Sequence, residues 1–348
     1  MPLRTWIIGR CPARFGRWRR VAGVVLATAI ILANLLAFFH ARALTTYASG
    51  GTHVVRLERM SASQKAAILL TGVQLPRPTN TKTPADFGLS YETLTIVGDD
   101  GIDLEAWRIP CRRSRALVLM FHGYGSCKAH LLPEARAWRA LGCETLLVDF
   151  RGSGGSSGNE TTLGVYEADA VVKAMEFVLP LAGDQPVVLY GRSMGGAAVL
   201  RAIAIRGLQP AAIVVECPFD RLLTTVENRF SAMDVPAFPM AQLLVFWGGV
   251  QHRMDGFAHN PVEYAASIGC PALIMHGAHD LRVSVAEVQS IHERLPGDKR
   301  LILFAEAGHE SYLAVDAALW NSTISEFLDS FVAIDRPTSN WSAGEMTD

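Results

Sequence analysis

Val187-Val188-Leu189-Tyr190-Gly191-Arg192-Ser193-Met194-Gly195-Gly196-Ala197-Ala198-Val199-Leu200 is the stretch on which the reading of this chain turns. Four apolar residues predict a strand buried on both faces, a Gly-x-Ser-x-Gly turn follows, and small residues then open a helix that crowds the strand it leaves. A serine on so sharp a strand-to-helix turn presents its hydroxyl at the rim of a sheet. That hydroxyl is a weak nucleophile near neutral pH, so it calls for a base beside it, an acid behind the base and donors for a developing oxyanion. The same five-residue pattern occurs at Gly154-Gly155-Ser156-Ser157-Gly158, but there it runs into polar Asn159-Glu160-Thr161-Thr162. With no helix leaving it, that match reads as a glycine-rich loop, and Ser193 is the candidate nucleophile.

On both sides of this turn, short apolar runs alternate with amphipathic segments of helical length. The runs are Ala116 to Phe121, Glu144 to Asp149, Pro186 to Tyr190, Ala211 to Glu216, Ala272 to His276 and Arg300 to Phe304. Helices are predicted near Leu131 to Leu141, Gly164 to Leu181, Gly195 to Arg206, Val285 to Leu295 and Ser311 to Ala333. Such alternation means a mostly parallel sheet with helices on both faces. Ahead of it, Tyr91 to Val97 and Asp103 to Ile109, joined by Gly98-Asp99-Asp100-Gly101, read as an antiparallel hairpin, which brings the strand count to eight. Between Cys217 and Ala272 some fifty residues stand where one helix would suffice, and they are rich in Phe, Leu and Trp. A small helical cap over the strand C-termini, at about 218–268, is the expectation.

In such a sheet the acid and then the base follow the nucleophile in chain order. Of ten histidines, His309 in Glu306-Ala307-Gly308-His309-Glu310 lies just past the last strand. Asp280 follows the preceding strand across His276-Gly277-Ala278-His279 and is the candidate acid, with Asp220 the rival position. The oxyanion donors are expected to be the backbone N–H groups of Met194 and, in Phe121-His122-Gly123-Tyr124-Gly125, of Tyr124. His122 reads as a structural histidine. His276, His279 and Asp280 could suggest a metal, but no further ligand spacing completes a site, so neither metal nor cofactor is expected.

Half the residues are apolar and 19 % are charged, enough for one large core, and a net charge of −1 excludes duplex nucleic acid as the main partner. Basic residues gather only at the start, where Arg4, Arg10, Arg14, Arg17, Arg19 and Arg20 precede an uncharged run from Val21 to Phe39. Nineteen residues of helix span about 28 Å, close to the roughly 30 Å of a hydrocarbon core. Residues 1–20 would stay cytoplasmic and everything after 39 would be exported, by the positive-inside rule. The alternative is a signal peptide cleaved near Ala41-Arg42-Ala43, although its apolar core would be unusually long. Residues 40–85, rich in Ser, Thr and Pro, read as a linker with one short helix near Ser63 to Leu70, the catalytic domain as 86–335 and 336–348 as a flexible tail. The six cysteines show no metal-ligand spacing and select no disulfide pair.

Over roughly Tyr91 to Ala333 the chain resembles the α/β-hydrolase family of serine hydrolases. The resemblance rests on Phe121-His122-Gly123-Tyr124-Gly125, Asp149-Phe150-Arg151-Gly152-Ser153-Gly154, Gly191-Arg192-Ser193-Met194-Gly195, Asp280 and Gly308-His309. It is most similar to the small-capped esterase and lysophospholipase-like subgroup that often carries an N-terminal membrane anchor. That likeness implies acylation of Ser193, departure of the alcohol or amine, and hydrolysis by a water that His309 activates; it also implies a structural role for the Asp149 loop. A small-molecule or lipid acyl ester is the expected substrate, with Phe219, Phe246 and Trp247 of the cap recognising its acyl chain. Thioesterase or aminopeptidase-like chemistry on the same three residues is the alternative, and a peptidase would need Glu216, Asp220 or Glu227 for a peptide terminus. A non-catalytic binding scaffold would ordinarily lack one of the three.

Overall fold

A computed structural model describes residues 13–48, 61, 63, 64, 67, 68, 72, 75–98 and 101–332. Arg4, Arg10, Cys11, the hairpin residues Asp99 and Asp100, half of the expected helix at 63–70 and the tail at 336–348 lie outside the described residues.

Eight strands form one sheet: β1 (Glu92–Val97), β2 (Asp103–Ile109), β3 (Leu117–Phe121), β4 (Glu144–Val148), β5 (Val187–Arg192), β6 (Ala212–Glu216), β7 (Ala272–Gly277) and β8 (Lys299–Phe304). They lie in the order β1-β2-β4-β3-β5-β6-β7-β8. β2 is antiparallel to both β1 and β4, and every later pairing is parallel. The pleat sorts the strand residues onto two cores. Leu117, Leu119 and Phe121 pack with the helices α3 (Glu167–Ala182) and α4 (Met194–Arg206), whereas Val118 and Met120 face α2 (Leu132–Ala140) and the last long helix, Ala317–Val332. This is why the central strands read as unbroken apolar runs: both faces are covered.

Two further helices, α5 (Leu222–Ser231) and α6 (Met240–His252), make most of the insertion between β6 and β7. The helix expected over Ser311 to Ala333 is two, Tyr312–Val315 and Ala317–Val332. Asp316 divides them because its carboxylate serves as a cap, accepting the Leu319 N–H at 2.9 Å.

The segment expected as a linker departs most from its reading. The N-terminal helix α1 runs without a break from Ala13 to Thr45 and is long and apolar enough to cross a membrane. Its last turns are not free. Ala37 and Ala41 are buried in a cluster with Phe230, Ala241 and Leu244 of the cap. Beyond the helix, Tyr47 donates its N–H to the Asn159 carbonyl (2.7 Å), and Arg77 reaches the Gly158 carbonyl at 2.5 Å. Both described ends of the 40–85 segment therefore belong to the folded domain, held by the polar loop that follows Asp149.

Candidate active site

Ser193 sits between β5 and α4 with φ 52° and ψ −115°, a conformation costly for a residue with a Cβ. Its N–H donates to the Glu216 carbonyl on the next strand at 2.7 Å, which holds the turn. A Cβ at Gly195 would run into the Phe121 carbonyl oxygen, and one at Gly191 would meet the Gly195 carbonyl group. The flanking glycines are thus what allows the turn to close against β3.

Asp280, His309 and Ser193, selected above from three separate loops, lie in hydrogen-bonded sequence. His309 Nδ1 is 2.6 Å from Asp280 Oδ2, and His309 Nε2 is 3.1 Å from Ser193 Oγ. The other oxygen of Asp280 accepts the N–H groups of Arg282 (2.7 Å) and Val283 (3.1 Å), so the carboxylate is held on both sides. Although burial raises a carboxyl group, the His309 ring and those amides keep Asp280 below its ordinary range. Burial would also lower His309, but the neighbouring Cys217 sulfur and the Asp280 carboxylate outweigh it and push the imidazole up to about 9. Asp280 fixes the proton on Nδ1 and leaves Nε2 to face the serine.

Cys217 is the residue that sequence reasoning missed. It follows β6 in the left-handed region (φ 42°), is fully buried, and offers its sulfur within 4.8 Å of ligating atoms of both Asp280 and His309. Its place directly after a sheet strand, three residues before the rival acid Asp220, was the available signal.

Met194 is the first residue of α4, where a helix amide has no intrahelical acceptor. The loop carrying Tyr124 passes close by: a Cβ at Gly123 would sit 3.5 Å from the Ser193 Cβ. The end of α1 reaches this same place. Tyr124 Oη donates to the Leu44 carbonyl at 2.5 Å, and the Gly125 N–H donates to Tyr47 Oη at 3.3 Å. On the other side the Thr161 N–H donates to the Thr45 carbonyl at 3.0 Å, while Thr161 Oγ1 lies 3.5 Å from Met194 Sδ. The end of α1, with Tyr47 just beyond it, thus braces the Tyr124 loop directly and reaches Met194 through Thr161.

The remaining candidates have other engagements. Ser156 is buried, donating to the Asp149 carbonyl (2.7 Å) and accepting the Glu105 N–H (2.9 Å). Asp149 and Lys128 form a fully buried ion pair, with the Lys128 N–H also donating to Asp149 Oδ1 at 2.7 Å. His122 Nε2 accepts the Phe150 N–H at 3.1 Å, and His276 is buried with Nε2 3.1 Å from the Val283 carbonyl. Asp220 pairs with Arg221 at 2.9 Å rather than with His309. Glu216 accepts Trp320 Nε1 (2.8 Å) and Glu227 accepts Gln242 Nε2 (2.9 Å). Of the three side chains expected to meet an acyl chain, Phe219 packs into the sheet core against His259. Trp247 turns to α1, meeting Phe38 edge-on and donating to Asn34 Oδ1 at 3.2 Å, and Phe246 meets Trp247 edge-on. These contacts set Trp247 against α1 and Phe246 against Trp247.

The family profile described as serine aminopeptidase S33 matches residues 112–261. The uncharacterized membrane protein YNL320W of Saccharomyces cerevisiae is 33 % identical over 252 residues, covering 71 % of this chain and 82 % of that protein. The chain belongs to the α/β-hydrolase family. Among the hydrolases it is similar to the lysophosphatidylserine lipase ABHD12 of Danio rerio, 23 % identical over 62 % of each chain. The Pyrococcus furiosus esterase Pf2001 shares the fold with a TM-score of 0.62 and 25 % identity, over 74 % of this chain and 97 % of that one. The chain spans 52 % of the length of the bem46 protein of Schizosaccharomyces pombe, at 27 % identity over 43 % of its own length.

Proposed function

We propose that this chain is a membrane-anchored serine esterase of lysophospholipase-like type, which hydrolyses a carboxylic ester through an acyl-enzyme on Ser193. The observation that carries the reading is the run of hydrogen bonds from Asp280 through His309 to Ser193 Oγ at a strained strand-to-helix turn. Ser193 Oγ attacks the ester carbonyl as His309 Nε2 takes its proton. The negative oxygen is met by the N–H groups of Met194 and Tyr124, and the proton then passes to the departing alcohol. Water activated by the same imidazole releases the acid. Asp280 orients the ring and stabilises its charged form.

The lipase and esterase names of the similar proteins support an ester as substrate. Anchoring rests on α1, with the N-terminus cytoplasmic and the catalytic domain exported. A fluorophosphonate probe should label the wild type and fail to label Ser193→Ala. A panel of acyl esters, lysophospholipids, acyl thioesters and aminoacyl anilides should show turnover of the first two. Unchanged p-nitrophenyl ester turnover by His309→Ala would refute the assignment.

A further inference from the structure

We propose that the cap is not a water-facing lid but is set into the outer half of the bilayer, with lipid acyl chains as the partner of its Phe246–Val250 face. The proposal rests on the reading of α1 as a membrane anchor and adds to it a depth, for which the anchor serves as a ruler.

The exposed arginines Arg17, Arg19 and Arg20 mark the inner end of the apolar run. From Arg20 to Asn34 are fourteen residues of unbroken helix, about 21 Å at 1.5 Å each. A hydrocarbon core of roughly 30 Å must then reach about 9 Å beyond Asn34, to the level of His40, and tilt of the helix would increase that distance. Arginine side chains reaching outward from one turn inside the core would take back about 5 Å and still leave an overlap. At these levels α1 is already docked on the cap. Trp247 Nε1 donates to Asn34 Oδ1 at 3.2 Å and Gln251 Nε2 donates to the Phe38 carbonyl at 2.8 Å. Both pairs are four residues apart on each helix, so α6 runs alongside α1 in the same direction. The stretch from Trp247 to Gln251 therefore lies level with hydrocarbon.

Its chemistry suits that level. From Val235 to Gln251 there is no charged residue. Phe238, Phe246 and Val250 are 77 %, 48 % and 51 % exposed, and Phe246 and Val250, four apart, share one face of α6. Asn34 and Trp247 are paired within the protein: Asn34 donates to the Ile30 carbonyl at 2.9 Å while accepting the indole N–H. Such pairing is what an apolar surrounding demands of an amide and an indole. Because Leu44 of α1 and Tyr47 just beyond it contact Tyr124 and Gly125, the immersed edge is continuous with the rim of the candidate site.

The test uses the full chain in phosphatidylcholine vesicles, with a bimane fluorophore on Phe246→Cys, Val250→Cys or Val25→Cys and labelled wild type as baseline. A nitroxide on carbon 5 of the lipid chain should quench the probe at 250 at least twofold more than baseline. A nitroxide on carbon 12 should do the same to the probe at 246, which lies deeper, and to the probe at 25. Quenching at 25 with baseline behaviour at 246 and 250 would overturn the immersion and leave the anchor standing. Baseline behaviour at all three would overturn the anchor, and the immersion with it.

Discussion

Replacing Cys217 by alanine should move the acid limb of this protein's pH–activity profile toward neutral pH. His309 must be unprotonated to act as base, and its pKa is pushed from 6.5 up to about 9 against the effect of burial. That difference amounts to about 3 kcal/mol in favour of the charged ring. Two neighbours favour the charged ring: the Cys217 sulfur, close to both His309 and Asp280, through the negative charge it carries as a thiolate, and the Asp280 carboxylate 2.6 Å away. In Cys217→Ala the carboxylate remains and the sulfur is gone, so the acid limb of kcat/KM should move to lower pH. The assay is p-nitrophenyl ester hydrolysis between pH 5.5 and 10 for both proteins, with Tm as a control for folding. The same linkage has a stability side. A histidine whose folded pKa is raised stabilises the fold fully below its unfolded value near 6.5, and that contribution is lost as pH rises through about 9. Wild type should therefore lose more stability than Cys217→Ala between pH 6 and 10. An acid limb at the same pH in both proteins would refute the reasoning.

Asp280→Asn keeps the shape of the side chain but not the charge that holds the His309 tautomer, and kcat should fall by about 10⁴, the precedent for such triads, with Tm little changed. Ser156→Ala should retain fluorophosphonate labelling while two buried hydrogen bonds are lost, lowering stability by about 1–3 kcal/mol in a denaturant titration. Tyr47→Phe removes only the hydroxyl that accepts the Gly125 N–H; a loss of about 1 kcal/mol at that loop predicts a several-fold fall in kcat at similar KM, and an unchanged kcat would reduce Tyr47 to packing. Lys128→Met strands the buried Asp149 carboxylate and should cost about 3–5 kcal/mol, seen as a large fall in Tm.

Much of the architecture was legible along the chain because each element obeyed a local rule. Apolar runs bounded by glycine, proline and helix-length segments, with the turn chemistry of the first hairpin, located the eight strands to within two residues. The small residues after Ser193 distinguished its turn from the one at Ser156, since only a helix leaving at once needs Gly195, Gly196 and Ala197 against a strand. The break at Asp316 was missed because an apolar periodicity continues across it and outweighs one capping residue. The partner of Trp247 was not legible for a different reason. Aromatic composition in a cap signals burial without naming the partner, and here the partner is a helix some two hundred residues earlier.

Order and residue type were thus enough to select Ser193, Asp280 and His309 and to predict a sheet whose rim could carry them, because chain order, strand periodicity and turn chemistry are local properties. Folding in three dimensions decided what stands around those residues. It set the Cys217 sulfur beside His309, closed Ser156 into the Asp149 loop, and docked the end of α1 on both the cap and the Tyr124 loop. Contacts of that kind join segments that share no pattern in sequence, since they depend on which surfaces remain to be covered once the sheet has formed.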